Sequence, residues 1–322
     1  MVVSKHRPSR AQIVELLQRN DSLQWILDTE TDGLEVRGHL APHRALWIGL
    51  MPLGSNNVFI LTREEFDSWE LRPILEGLSL IGHNLRFDLH ALDLQPKLPW
   101  VDTLVASYFP HTTGKHSMDH IAKVRGWPKI PTPELLKRGS IDRIPEAELI
   151  NYLADDCLVT AKMAKVLQVE RAEDDYKVEQ AVYAMECRGM RLLEDELQAV
   201  RVQLTERITL SEVPLRQAGM IGNLNSPVQV GTWLIGKGRQ LPASKTGSPS
   251  TSKLVLQQLS DNGDDLAQKL LDWRRLIKLQ TGFIDPLPKM VQGGILYPNT
   301  GTTRTATGRF ACSGPNLQQI PK

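Results

Sequence analysis

The sequence predicts an α/β fold, in which a mixed sheet with helices occupies roughly the first 175 residues and a mainly helical region follows. Two strand-like runs, at 44–53 and 57–62, flank the turn Gly54-Ser55-Asn56. Further strands then alternate with helical segments, an order typical of a mixed sheet with helices packed on it. Beyond the acidic run at 173–175, segments with helical spacing of apolar residues dominate.

Each element of the first half is predicted from its local pattern. Apolar runs bounded by turn residues predict strands at 22–28, 44–53, 57–62 and 79–83. Thr62 followed by Glu65 has the spacing of a capping box, so a helix is predicted over 63–77. Further helices are predicted at 86–94, 117–125 and 145–169, with a proline-marked loop at 128–133.

In the second half, helical spacing predicts five more segments, at 177–188, 194–211, 227–235, 254–260 and 264–281. Residues 241–253 are rich in Ser, Thr, Gly and Pro, which predicts an exposed loop. The stretch 293–322 has few apolar residues, so extended segments and turns that need a partner to cover them are expected there.

Composition excludes several classes of protein. Hydrophobic residues make up 41% and charged residues 23%, as in ordinary globular proteins. Three separated cysteines predict neither a disulfide framework nor a CxxC metal site, and favour a reducing compartment. The basic N-terminus lacks the apolar stretch of a secretory signal, and no apolar run reaches the ~18 residues of a membrane span. A cytoplasmic location is therefore expected.

Charge is distributed unevenly along the chain. Residues 1–176 carry 20 Lys and Arg against 25 Asp and Glu, a balance of −5. Residues 177–322 carry 18 against 12, a balance of +6. A basic half suits a polyanionic partner, because Lys and Arg displace counterions from phosphates. A solvated basic face explains the same bias equally well.

Three polar clusters contain carboxylates at chemically useful spacings. Asp28 and Glu30 end a predicted strand, and the two-residue period of a strand places both on one face. Asn84 and Asp88 lie one turn apart at a helix start. Four carboxylates on three elements, with Asp156 as the last, are suited to hard divalent cations. Separately, each cluster has an ordinary structural explanation, such as a strand-end turn or a helix cap.

The third cluster is Tyr152 and Asp156, again one helical turn apart. Together the clusters resemble the three motifs of the DEDD exonuclease superfamily. The tyrosine four residues before the last aspartate makes the third motif similar to that of the DEDDy branch. The surrounding sequences DTETDGL (28–34), GHNLRFD (82–88) and YLADD (152–156) resemble the proofreading domain of bacterial family A DNA polymerases. The resemblance covers residues 22–170 and implies a ribonuclease H-like mixed sheet.

This resemblance implies a 3′–5′ exonuclease that uses two divalent cations, Mg²⁺ or Mn²⁺. Asp28, Glu30, Asp88 and Asp156 would hold the cations. Tyr152 and Glu30 would orient the attacking water, and the product would be a nucleoside 5′-monophosphate. The remaining matches imply contacts with the terminal nucleotides of single-stranded or frayed DNA by Thr31, Leu34 and Asn84.

The second half resembles the thumb and the opening of the palm of a family A DNA polymerase. NSPVQ (225–229) and TRTATGRFACSGPNLQQIP (303–321) carry this resemblance. It implies contacts with primer-template DNA by Lys245, Arg274, Lys278, Arg304, Arg309 and Gln318. The expected domains are an exonuclease domain at 1–175, a thumb-like region at 176–290 and an incomplete palm at 291–322.

No polymerase metal ligands or fingers helix follow within the 322 residues, so no polymerase activity is expected from this chain alone. Either a second polypeptide carries the remaining palm and fingers, as in a split phage gene, or the chain is a truncated product. Two other hypotheses stay open, a DEDDy ribonuclease that acts alone and a non-catalytic DNA-binding subunit.

Overall fold

A computed structural model describes residues 4–19, 24–38, 43–137, 141–167, 173–244 and 247–320. The chain divides into two compact units over this part, Met1–Met190 with Tyr297–Lys322 and Arg191–Leu296. No helix among the described residues is long and apolar enough to cross a membrane. The predicted division at 175 and 290 stays a prediction.

The first unit is built on a mixed sheet, as the sequence predicts. Within the described residues it has six strands in the order β1-β4-β3-β2-β5-β6. The pairs β2–β3 and β3–β4 are antiparallel, whereas the pairs β1–β4, β2–β5 and β5–β6 are parallel. Their bounds are β1 Ser4–His6, β2 Gln24–Thr31, β3 Ala45–Pro52, β4 Asn57–Thr62, β5 Ser79–Gly82 and β6 Val101–Asp102.

Helices cover both faces of this sheet because successive strand side chains alternate between the faces. Trp25 and Leu27 lie in the core shared with α4, and Ile26 lies in the core shared with α8. The helices of this unit are α1 Arg10–Arg19, α2 Arg63–Ser68, α3 Arg72–Leu75, α4 Leu85–Leu92, α5 Thr103–Tyr108, α6 Met118–Val124, α7 Glu134–Lys137, α8 Glu146–Val166 and α9 Glu173–Arg188. A 3₁₀ turn spans Ile141–Arg143.

The predicted single helix over 63–77 is wrong. The capping box at Thr62 and Glu65 is present, but α2 ends at Ser68 and α3 begins at Arg72. Glu70 between them has a φ of 54°, in the left-handed region, so the helix cannot continue through it. The strand β1 and the helix α1 were not predicted.

The stretch from 297 onward, expected to need a covering partner, is covered in part within this unit. Strand β9 (Asn299–Gly301) packs on α9 and pairs antiparallel with β10 (Ala311–Ser313). Thr300 and Thr302 are buried, and the Thr112 hydroxyl donates to the Ala306 carbonyl at 2.8 Å. A 3₁₀ turn at Leu317–Gln319 follows.

The second unit is mainly helical, as the sequence predicts. Its apolar core lies between α10, α11, α12 and α13, and includes Leu204, Leu234 and Trp273. The Leu192 N–H donates to the Gly294 carbonyl at 3.0 Å, which joins the two ends of the unit. The element bounds are β7 Met190–Arg191, α10 Glu194–Gln217, α11 Pro227–Gly236, α12 Lys253–Asp261, α13 Asp265–Leu279, a π turn Gln280–Ile284, a 3₁₀ turn Leu287–Met290 and β8 Ile295–Leu296.

Candidate active site

Three buried carboxylates meet where β2 faces α8. Asp28 and Glu30 share a face of β2, and Asp156 projects from α8, which packs on that strand. Among the described residues, one oxygen from each of the three lies within 4.8 Å of the others. All three side chains are at most 9% exposed. We refer to Asp28, Glu30 and Asp156 as the acidic triad.

The close approach of α8 to the sheet depends on Gly49. This glycine lies opposite Asp28 in the β2–β3 pairing. A Cβ atom at position 49 would lie 2.7 Å from the Cys157 sulfur, closer than van der Waals contact permits. Because Cys157 adjoins Asp156 on α8, the absence of a side chain at Gly49 allows the helix to bring Asp156 beside Asp28.

Asp88, the fourth predicted carboxylate, lies beside the triad and outside it. It is buried in the first turn of α4, and its Oδ1 accepts a 2.6 Å hydrogen bond from Thr29 Oγ1. Thr29 alternates with Asp28 and Glu30 along β2, so this contact is made on the α4 side of the sheet. Asp88 is still close enough for its charge to contribute to raising the pKa of Asp28. The structure thus brings three of the four predicted groups together.

Burial and mutual repulsion make these carboxylates weak acids. Burial raises the pKa of Asp28 well above its ordinary value, and the charges of Asp88, Asp156 and Glu30 add to the effect. Burial, followed by Asp156 and Asp88, raises the pKa of Glu30 to about 8. Burial also raises the pKa of Asp88 to about 8, although the Thr29 hydroxyl opposes the shift. A positively charged ligand would relieve this repulsion.

The pKa of Asp156 is raised less, to about 6, because Lys129 and Tyr152 oppose the effect of burial. Lys129 Nζ lies 2.7 Å from Asp156 Oδ1 and 3.1 Å from Asp119. Lys129 was not predicted as a site residue, since a single lysine between prolines in a loop resembles a solvated residue. Its proximity to Asp156 arises only when the loop folds against α8.

Tyr152 lies one turn before Asp156 on α8, as the helical spacing predicts. Its side chain is buried, and its hydroxyl is 3.2 Å from Thr132 Oγ1. Burial, together with the charge of Asp156, raises the pKa of the Tyr152 hydroxyl far above its ordinary value. The hydroxyl therefore keeps its proton and acts as a hydrogen-bonding group.

Of the three residues expected to contact the terminal nucleotides, Thr31 and Leu34 follow Glu30 in sequence, and Asn84 immediately precedes α4. The Thr31 hydroxyl donates to the Gly33 carbonyl at 2.7 Å, and the Leu34 side chain is 81% exposed. Asn84 precedes α4 in a left-handed conformation with φ of 65°. Its side chain makes no capping hydrogen bond within the described part of the chain, which weighs against the helix-cap explanation.

The residues expected to contact primer-template DNA lie in different settings. Lys278, Arg309 and Gln318 are exposed, and Lys245 lies outside the described residues. Arg304 is exposed and holds Ser313 and Asn299 at 3.1 and 2.8 Å. Arg274 is half-buried, and its guanidinium donates to the Thr251 carbonyl at 2.5 Å and hydroxyl at 3.2 Å, so it also stabilises the loop before α12. None of these contacts with DNA is tested by the structure.

The acidic triad has the chemistry of a divalent-cation site. Mg²⁺ and Mn²⁺ take oxygen ligands, and the triad supplies clustered carboxylates. Asp156 Oδ1 is buried, and its close partner within the described residues is a cation, the Lys129 ammonium at 2.7 Å. A cluster of buried carboxylates that already attracts one positive charge is a setting in which a hard divalent cation would bind.

Family comparisons agree with this geometry. A family model described as 3′–5′ exonuclease matches residues 10–171, and one described as DNA polymerase family A matches residues 194–322. The first span contains the whole triad together with Asp88 and Tyr152.

Similar proteins include DNA polymerase I of Rhizobium leguminosarum, 30% identical over 78% of this chain and 27% of the relative. The thermostable DNA polymerase I of Thermus thermophilus is 42% identical over 42% of this chain and 17% of the relative. The chain thus spans about a quarter or less of the length of these relatives. A solved structure described as the POL domain of Pol1 from M. smegmatis in complex with DNA primer-template and dNTP covers 99% of this chain and 56% of its own, with a TM-score of 0.73 and 18% identity, and supports the fold.

Proposed function

The chain belongs to the 3′–5′ exonuclease family, joined here to a DNA polymerase family A region, and on this basis we propose that it hydrolyses the terminal phosphodiester at the 3′ end of DNA. The observation that carries the proposal is the buried acidic triad inside the matched exonuclease span. Frayed or single-stranded ends are the proposed substrates, and proofreading is the proposed purpose.

In this proposal Asp28, Glu30 and Asp156 hold divalent cations, with Asp88 supporting a second one near Asp28. When bound, such cations polarise the phosphate and make a bound water more acidic. Tyr152 keeps its proton and donates a hydrogen bond that orients the attacking water, while Glu30 accepts one. Two cations of the Mg²⁺ or Mn²⁺ type are proposed because the donors are all oxygens.

The substrate is held by groups that do not read base identity. Leu34, exposed beside the end of β2, packs against the terminal base, and Thr31 and Asn84 contact the terminal nucleotides. Apolar and stacking contacts accept any base, which suits an enzyme that removes mismatched ends. Arg304, Arg309, Gln318 and Lys278 are proposed to contact the duplex backbone, along with Lys245 and Arg274.

DNA is favoured over RNA as the substrate because a DNA polymerase family A region follows in the same chain. A second polypeptide that carries further polymerase residues, a phage source and a cytoplasmic location stay predictions. Degradation of single-stranded DNA and RNA of one sequence by the same preparation distinguishes the DNA exonuclease from a DEDDy ribonuclease. Faster loss of the RNA would contradict the proposal.

The proposal is tested by Mg²⁺-dependent release of nucleoside 5′-monophosphates from 3′-labelled single-stranded DNA. Asp28→Ala or Asp156→Ala should abolish release, since the loss of cation ligands removes several kcal/mol of transition-state stabilisation, roughly a thousandfold in rate. Glu148→Ala, which removes an exposed carboxylate from the same helix as Asp156, is the matched control and should keep full activity. Equal rates in the wild type and Asp28→Ala would exclude the proposed function.

A further inference from the structure

A cationic side chain already lies against the acidic triad. Lys129, in the loop between α6 and α7, has a side chain only 7% exposed. Its ammonium is 2.7 Å from Asp156 Oδ1 and lies 4.7 Å from the centre of the Tyr152 ring. A buried lysine in contact with Asp156 occupies the space that a metal ion bound to the same oxygen would fill. Its positive charge would also repel that ion.

The loop that carries Lys129 is fixed to α8 by contacts of its own. The Ile130 N–H donates to Asp155 Oδ2 at 2.7 Å, next in sequence to Asp156. The Lys129 ammonium also donates to the Ile130 carbonyl at 3.2 Å. The Lys129 ammonium lies over the Tyr152 ring, which adds a cation–π contact. The placement of the ammonium is thus determined by α8 and by the loop backbone together.

Lys129 has a second acidic partner, which is not a member of the triad. Asp119, in the first turn of α6, lies 3.1 Å from Nζ, and its side chain is 61% exposed. An ammonium that left Asp156 could therefore keep an ion pair and gain access to water. The long, flexible lysine stem permits such a change without movement of the backbone.

An ammonium and a divalent cation cannot share Asp156 without a large penalty. Two positive charges a few ångströms apart repel each other strongly in a partly buried site.

We propose that Lys129 is an internal counter-cation of the acidic triad in the metal-free protein, and that a divalent cation displaces its ammonium from Asp156 toward Asp119. This inference rests on the proposed function, since it presumes that the triad binds a metal. It makes Lys129 a residue that sets metal affinity and keeps the metal-free protein stable. Burial alone would lower the pKa of Lys129, but Asp156 and Asp119 outweigh it and raise that pKa, in keeping with a charged lysine.

The test is titration of the purified full chain with Mn²⁺ alone, followed calorimetrically at a fixed pH of 7.5. Lys129→Met, which keeps an unbranched apolar side chain and removes the charge, should tighten Mn²⁺ binding by about tenfold, the order expected when a competing charge a few ångströms away is lost. Lys129→Arg keeps the charge and should stay nearer to the wild type. Lys123→Met, which changes an exposed lysine of α6, is the control and should bind as the wild type does.

Asp119→Asn is a second variant for the same Mn²⁺ titration, and it should change the affinity in the opposite direction to Lys129→Met. Without Asp119 the displaced ammonium loses its alternative partner, so Mn²⁺ binding should weaken, and this effect should vanish in the Lys129→Met background. Unchanged or weaker Mn²⁺ binding by Lys129→Met would overturn the inference, as would an effect of Asp119→Asn that persists without the lysine. A purely structural lysine would produce neither of these opposite shifts.

Thermal unfolding supplies a readout that does not depend on metal affinity. Lys129→Met should lower the unfolding midpoint of the metal-free chain and leave the midpoint at saturating Mn²⁺ close to that of the wild type. Equal losses in both states would contradict the inference. If wild type and Asp28→Ala both fail to bind Mn²⁺, the proposed function itself has failed; if only Asp28→Ala fails while Lys129→Met matches the wild type, the inference alone has failed.

Discussion

The buried carboxylate of Glu186 on α9 accepts a 2.6 Å hydrogen bond from the backbone nitrogen of Thr300 in β9. His90 donates to the same carboxylate at 2.9 Å. The guanidinium groups of Arg37 and Arg86 lie 3.5 and 3.7 Å from it. One charged side chain therefore joins the exonuclease fold to the strand that follows the second unit in sequence.

We predict that Glu186→Ala strongly destabilises the first unit. Burial would raise the pKa of Glu186, but His90, Arg86 and Arg37 outweigh it and hold that pKa below its ordinary value, so the group is ionised. Removing it leaves buried positive charge uncompensated, at a cost of about 3 kcal/mol or more in free energy of unfolding. Urea denaturation measures the loss, and Glu148→Ala should change stability by less than about 0.5 kcal/mol. A loss below about 1 kcal/mol in Glu186→Ala would contradict the prediction.

Asp88→Asn should remove the negative charge at position 88 while keeping a side chain of nearly the same shape. The Asn oxygen can still accept from Thr29, while the charge that repels Asp28 is removed. We expect nuclease activity to fall by about 10–100-fold, as for groups that support metal ligands. The same change should raise the thermal midpoint of the metal-free chain above pH 8, where Asp88, with its pKa raised to about 8, is otherwise ionised. A lower midpoint at that pH would show that its charge is not destabilising.

Metal affinity should depend on pH through the triad. Burial, Asp156 and Asp88 raise the pKa of Glu30 to about 8, and burial raises that of Asp156 to about 6, so protons compete with a cation below these values. We predict that Mg²⁺ binding tightens from pH 6 to pH 8 and then levels off. Calorimetric titration at several pH values measures this trend. A flat profile, or tighter binding at pH 6, would be incompatible with the raised pKa values.

The stability of the metal-free chain should fall as pH rises, the opposite of the trend in metal affinity, because the same carboxyl groups lose their protons. A carboxyl whose folded pKa exceeds its unfolded value adds stability below the unfolded pKa, and that contribution is lost as pH rises through the folded pKa. For Glu30 the window runs from about 4.5 to about 8. The gain in thermal midpoint on adding Mg²⁺ should therefore grow across this window and shrink in Glu30→Gln. An equal gain at all pH values would argue against coupling between these protons and the metal.

Tyr152→Phe should lower activity much more than metal affinity at pH 8, where Asp156, with a pKa of about 6, is ionised. The phenyl ring keeps the contact with Lys129, and only the hydroxyl that orients water is lost. We expect a fall of about 100-fold, at the low end for groups that assist proton transfer. Thr132→Val removes the 3.2 Å partner of that hydroxyl and should have a smaller effect. A Tyr152→Phe variant with full activity would exclude the proposed role.

Local sequence patterns predicted the elements that carry the triad because strands and helices impose fixed side-chain periods. Sequence spacing alone determines that Asp28 and Glu30 share a face of a strand and that Tyr152 and Asp156 lie one helical turn apart. The structure contains both pairs. Strand β1 was missed because Ser4–His6 is short and exposed, and exists through its parallel pairing with β4.

Long-range contacts were beyond the sequence patterns. Lys129 reaches Asp156 only through the folded loop, and Asp88 reaches the triad region from the α4 face of the sheet. The break at Glu70 depends on a left-handed residue that no pattern in 63–77 indicated. The resemblance to a known exonuclease family supplied the grouping of Asp88 with the triad, which periodicity alone could not.

The most direct test of a metal site at the acidic triad is the anomalous diffraction of crystals of this chain soaked in Mn²⁺. We predict a manganese peak ligated by Asp28, Glu30 and Asp156, a second peak near Asp28 and Asp88, and the Lys129 ammonium moved away from Asp156. Diffraction from saturated crystals with no manganese bound to the triad would contradict this prediction.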